Sequence, residues 1–259
     1  MRQVSAAAAV LAAMFATGAC RWVGDAPEDR PETAREFPRA ERPVSDLGAN
    51  QFSTETQRDS VGEAQKVMDL AEIQPGMTVA DIGAGEGYYT IRLAEKVGAK
   101  GRVLAQDIDP QAISRLGQRV ERERLENVSI RLGTADDPKL PEHSFDRVFM
   151  VHMYHEVQEP YAFLWRLWPA LKQGGRVVVV DVDRPTGRHG IPPMLLTCEF
   201  ERVGFTLDSF RDAPELAGYY AQFKRAATRP EPRAIEPCRQ DAAGLATAGK
   251  KITGEHRKT

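Results

Sequence analysis

Between residues 55 and 226, short apolar runs alternate with amphipathic helical patterns, and this alternation constrains the fold more than any other feature. Strands are predicted at Thr78 to Ile82, Arg102 to Gln106, Val128 to Leu132, Arg147 to Val151 and Val177 to Val182. Between them, helical spacing predicts helices at Thr90 to Val97, Pro110 to Leu125 and Tyr161 to Leu171. A further helix, with Val61, Ala64, Val67, Met68 and Ala71 on one face, precedes the first strand and ends at Gln74-Pro75-Gly76. Strand, helix, strand in repetition implies a parallel sheet covered on both faces. Gly174 and Gly175 are expected to stop the helix before them. Phe205 to Phe210 and Ala217 to Lys224 read as a hairpin, which adds an antiparallel edge and brings the sheet to seven strands.

The flanks have a different composition. Arg2, an alanine-rich run from Val4 to Ala16 and the small residues Gly18 and Ala19 before Cys20 read as an export signal over residues 1–19. The run is too short to span a bilayer core of about 30 Å. Export to the periplasm is expected, with Cys20 as a candidate lipidation site because the residues before it resemble a bacterial lipobox, although Thr17 stands where that pattern has an aliphatic residue. Residues 20–54 mix charges with Pro27, Pro31, Pro38 and Pro43 and are expected to be a tether, and residues 227–259 a disordered tail. Cys198 falls on a helical pattern and is expected as a small buried thiol, a bridge to Cys238 being the lesser alternative.

Chemistry concentrates after the first strand, at Asp81-Ile82-Gly83-Ala84-Gly85-Glu86-Gly87-Tyr88. Glycines there let the chain turn sharply and let a ligand approach the backbone, at the edge where doubly wound sheets bind cofactors. A dinucleotide fingerprint spaces its glycines G-x-G-x-x-G, whereas here they stand at 83, 85 and 87, and a Walker loop would need Gly-Lys-Ser/Thr. With Asp81 in front, the stretch resembles the acidic-x-Gly-x-Gly-x-Gly motif of class I S-adenosylmethionine-dependent methyltransferases, in particular predicted methyltransferases with signal peptides. The resemblance covers most of residues 55–226 and implies a Rossmann-like domain with S-adenosylmethionine as cofactor. In that family, Gly83 and Gly85 would make room for the methionine part and Asp81 would face its ammonium. Asp107, at the second strand's end, would take the ribose hydroxyls and Ile108 would pack on adenine. Ala135 and Asp136 match the segment that reads the adenine edge. Asp109, directly before Pro110, is instead expected to cap a helix.

Past the fourth strand, Val151-His152-Met153-Tyr154-His155-Glu156 gathers two of the five histidines. In this fold the position faces the transferring methyl group, so His152, Tyr154 and His155 are candidate catalytic residues, as base or as orienting groups. His152, His155 and Glu156 suggest a metal too, but no further ligand is evident and none is assigned. Arg188-His189-Gly190 is a candidate rim over the acceptor. With 35 basic and 37 acidic residues and a net charge of −2, the chain has no excess positive field for nucleic acid. The expected substrate is a small-molecule or lipid-like acceptor. The alternative is a non-catalytic module that binds an adenosyl ligand or a partner protein on the same fold.

Overall fold

The computed structural model describes residues 30–47, 54–216 and 218–239, and all of these after Arg30 belong to one compact unit. Cys20, the expected export signal and the part of the expected tail beyond residue 239 lie outside the described residues. Seven strands form one sheet in the order β3-β2-β1-β4-β5-β7-β6. They are β1 (Thr78–Ile82), β2 (Arg102–Asp107), β3 (Val128–Leu132), β4 (Phe145–Val151), β5 (Leu171–Asp181), β6 (Phe205–Ala213) and β7 (Gly218–Arg225). The first five are parallel, and β7 runs antiparallel to both β5 and β6. The mostly parallel α/β sheet with an antiparallel edge hairpin is therefore present.

Helices α1 (Glu55–Ser60), α2 (Glu63–Leu70), α3 (Tyr88–Val97), α4 (Pro110–Arg122), α5 (Pro160–Leu167) and α6 (Pro193–Arg202) cover the sheet. Alternation along β5 shows how both faces are buried. Val177 and Val179 join one cluster with α5 and α6, while Val178 and Val180 join the other with α2 and α3. A strand buried on both sides must be apolar throughout, which explains its unbroken valine run. Asp109 caps α4 through the Gln111 N–H, with Pro110 at the first helical position.

Two boundaries differ from expectation. Helix α5 ends at Leu167 because Pro169, lacking an N–H, cannot close the next turn, and the Arg229 guanidinium donates instead to the orphaned Trp165 carbonyl. Strand β5 then begins at Leu171, so Gly174 and Gly175 lie within it, where the pairing with β4 shifts register, rather than ending a helix.

The expected tether and tail are corrected in part. Ala34 and Phe37 on one flank, and Ile235 and Cys238 on the other, are buried in the larger core cluster. Phe37 meets Trp165 edge-on at 5.6 Å, and Trp165 Nε1 donates to the Pro230 carbonyl. Arg42 forms a fully buried ion pair with Glu199, Nε to Oε1 2.7 Å, and reaches the carbonyl of Val157. A few anchors, each satisfied by a distant partner, hold a segment whose composition alone could not form a core. Cys198 is not a free thiol: it is bonded to Cys238 across 40 residues. A cross-link of that span contributes about 2–4 kcal/mol by restricting the unfolded chain. The Cys238 N–H also donates to the Tyr161 hydroxyl. Among the described residues, no helix is long and apolar enough to cross a membrane.

Candidate active site

The strand order reverses beside β1, with β2 and β3 on one side and β4 on the other, and the chain leaves the carboxyl ends of β1 and β4 in opposite directions. That divergence opens a crevice at the sheet edge. A cavity of about 800 Å³ occupies it, toward the upper end of the range of about 300–1,000 Å³ usual for ligand pockets. Its walls come from the ends of four strands: Asp81 and Gly83 to Glu86 at β1, Gln106 to Asp109 at β2, Thr134 and Ala135 after β3, and Val151 to Met153 at β4. Helix α1 contributes Glu55 and Arg58.

Asp81 is buried at the end of β1, where its Oδ2 accepts a 2.6 Å hydrogen bond from the Thr90 hydroxyl. Burial pushes its carboxyl up to about 6, against the pull of Thr90 and the nearby Arg58. Asp107, on the adjacent strand, accepts from the Gly85 N–H at 2.8 Å and from the Asp109 N–H at 2.9 Å, so the glycine loop and the β2 turn together fix this carboxylate. Gly83 adopts φ +66° and a Cβ there would lie 2.9 Å from Met153 Cγ, so backbone and space both require glycine. Gly85 also has positive φ, at +54°, but faces open space.

His152 lines the cavity, with Nε2 3.7 Å from Glu63 Oε1. Glu63 also accepts from Arg58 and from the Tyr89 hydroxyl. Burial alone would raise the Glu63 carboxyl, but the nearby His152 and the hydrogen-bonded Arg58 outweigh it and hold it at about 2. Arg58 in turn lies over the Tyr88 ring at 3.9 Å, which binds α1 to the mouth of α3.

Of the residues singled out from sequence, Asp81, Gly83, Gly85, Asp107, Ile108, Ala135 and His152 line this one cavity. Three do not. Asp136 turns away, taking hydrogen bonds from Thr33, Thr134 and Arg166, and its neighbours Thr134 and Ala135 form the wall instead. Tyr154 is fully buried and donates to Glu199 at 2.7 Å; burial and that carboxylate raise its hydroxyl well above the usual range, which rules out a base. His155 is buried behind the wall with Nδ1 3.0 Å from both oxygens of Asp181. Sequence reading missed Arg58, Glu63, Gln106 and Thr134. Only Gln106 and Thr134 carried a local signal, by their places at the ends of β2 and β3.

S-adenosylmethionine fits these residues. Beyond the two carboxylates and the glycine cradle, Gln106 Nε2 is a buried donor on the wall with no acceptor among the described residues, a group that a heteroatom-rich ligand would satisfy.

A carboxyl raised in the folded state stabilises the fold below its unfolded value near 3.8, and that contribution is lost as pH rises through about 6. Asp81→Asn, neutral at every pH and able to accept from Thr90, is expected to raise stability at pH 8 by roughly 2–3 kcal/mol and to change it little at pH 3.5. Denaturant unfolding at the two pH values measures this, and an equal effect at both would contradict the assignment.

A family described as a methyltransferase domain matches residues 73–216, more than half of the chain. An arsenite methyltransferase of Halobacterium salinarum is 33% identical over 116 residues, covering 44% of this chain and 29% of that protein. A demethylmenaquinone methyltransferase of Bacillus cereus is 28% identical over 122 residues, 47% and 52% of the two chains. The chain thus spans about half or less of the length of these relatives. An S-adenosylmethionine-dependent methyltransferase from Aquifex aeolicus has the same fold, with a TM-score of 0.58 at 22% identity over 66% of this chain and 97% of that one. Carboxylates on two adjacent strand ends, the glycine cradle between them and the domain match agree, and the chain belongs to the class I S-adenosylmethionine-dependent methyltransferases.

Proposed function

We propose that this protein transfers a methyl group from S-adenosylmethionine to a small-molecule or lipid-like acceptor outside the cytoplasm. The observation that carries the reading is the single cavity in which Asp81, Asp107 and His152 meet. The sulfonium supplies an activated methyl carbon, which leaves the chain the tasks of binding, orientation and proton removal. Asp81 would take the ammonium of the methionine part, and Asp107 the ribose hydroxyls, through whichever lone pairs its two backbone bonds leave. Ile108, Thr134 and Ala135 would enclose the adenine. His152 stands on the β4 side of the glycine cradle as the candidate base. Its neighbour Glu63 is held ionised, and that carboxylate lies 3.7 Å from the imidazole Nε2. Two curated relatives carry small acceptors in their names, arsenite and demethylmenaquinone, which favours an acceptor of that size over a polymer.

The location rests on two features. The leader at residues 1–19, with Cys20 as its candidate lipidation site, has the composition of an export signal. The Cys198–Cys238 bond adds support, since disulfides persist mainly in oxidising compartments.

The activity is checked by incubating the protein with methyl-labelled S-adenosylmethionine and extracts of the cell envelope. Label is expected in the small-molecule or lipid fraction, falling about 10²–10⁴-fold in His152→Ala while donor affinity stays within a few-fold. Label confined to protein or nucleic acid would refute the acceptor class, and an unimpaired variant would refute the base. Fractionation checks the location: the wild-type chain should sediment with membranes and Cys20→Ser should be soluble in the periplasm. Recovery of both from the cytosol would overturn it.

A further inference from the structure

Beside the cavity is a group of side chains that neither the donor site nor the proposed base uses. His155 directs Nδ1 at Asp181, whose oxygens lie 3.0 Å away while Oδ1 also accepts from the Val182 N–H. A carboxylate can only accept, so Nδ1 carries the hydrogen and Nε2 presents its lone pair on the opposite side of the ring. Glu156 Oε1 lies 3.9 Å from that Nε2, and the His189 ring meets the His155 ring at 85° with centroids 5.7 Å apart. One ligating atom from each of the three residues lies within 4.8 Å of the other two.

We infer that His155, Glu156 and His189 bind a divalent transition-metal ion of the zinc class, beside the cavity wall formed after β4. Two imidazoles and one carboxylate form a borderline donor set that suits zinc and its neighbours rather than magnesium or calcium, which take oxygen ligands. Ligands about 2.0–2.2 Å from a zinc ion stand about 3.4 Å apart at tetrahedral angles. The Glu156–His155 pair stands at 3.9 Å and all three ligating atoms lie within 4.8 Å of one another, so an ion would draw them together by up to about 1.4 Å. Asp181 supplies what metal-bound histidines almost always have, a carboxylate on the far nitrogen that fixes the tautomer and raises the basicity of the ligating one. Glu156, one of the three, lines the cavity, and three protein ligands leave a fourth position open. It would take water or an acceptor bearing an oxygen or sulfur donor. His152 does not belong to the set, because its Nε2 turns to Glu63.

The ligands come from the turn after β4 and the loop after β5. The ends of these paired strands lie side by side, although His155 and His189 are far apart in sequence. Ser45 holds that second loop in place, accepting from the His189 N–H and donating to the Thr186 carbonyl.

The site is independent of methyl transfer and is tested by binding. The full chain, disulfide intact and stripped with a chelator, is titrated with Co²⁺ while its visible absorption is recorded, then with Zn²⁺ in competition. One equivalent of Co²⁺ should give the intense bands of a four- or five-coordinate site, and Zn²⁺ should displace it. His189→Ala should weaken binding at least 100-fold and Glu156→Gln at least tenfold. Asp181→Asn, a positioning change, should weaken it about 10–100-fold without abolishing the bands. His143→Ala, at an exposed position before β4, should leave it unchanged. Absence of stoichiometric binding overturns the inference, as does binding that neither His189→Ala nor Glu156→Gln weakens. Should His189→Ala not fold, Glu156→Gln, which preserves shape, decides alone.

Discussion

The reversal of strand order at β1 is the constraint from which the rest follows. Parallel strands connected by right-handed crossovers cannot continue in one direction and also wind back, so the sheet must start in the middle and grow both ways. At that point the loops after β1 and β4 separate, and the cavity lies at the gap. The glycine loop keeps the gap open at one wall, because Gly83 has no Cβ to meet Met153. Asp81 and Asp107 then stand on neighbouring strands facing a single volume. One is buried and reluctant to ionise, while the other is fixed by two backbone amides. A cationic ligand favours the ionised form of the first, so its binding energy offsets a cost that the empty fold bears.

The acceptor side is assembled differently, with distant parts of the chain converging on it. Arg42 from the N-terminal flank pairs with Glu199 of α6, and Tyr154 donates to the same carboxylate. Removing one member of such a buried set leaves an uncompensated charge, which typically costs about 3–5 kcal/mol. The arrangement fixes the turn after β4 from behind, where Arg42 also reaches the Val157 carbonyl. His152 faces the cavity and His155 faces Asp181, three residues apart with opposite assignments. The disulfide and Tyr161 secure the C-terminal flank over the same helices.

How much of this was legible in the sequence depends on the range of the interactions. β1 and β3 begin and end where the apolar runs do, and Asp109 caps α4 as its place before Pro110 indicates. The donor pocket was also readable, since its residues lie at strand ends whose order follows from topology, and six of the seven residues assigned to it line one cavity. The exception, Asp136, lies one residue beyond the wall formed by Thr134 and Ala135, and its orientation is decided by Thr33 and Arg166, which no local pattern reveals. Tyr154 failed for the same reason: its partner Glu199 lies 45 residues on. The flanks were misread because proline and charge dominate their composition, while Phe37, Arg42 and Cys238 bind through partners that composition does not register.

The most direct test of the account is calorimetric titration of the protein, prepared without residues 1–19, with S-adenosylmethionine and, separately, with NAD. One equivalent of S-adenosylmethionine should bind with measurable heat, Asp107→Ala should abolish it, and NAD should give none. No heat with S-adenosylmethionine, or heat that Asp107→Ala leaves intact, would contradict the reading of this crevice as a methyl-donor site.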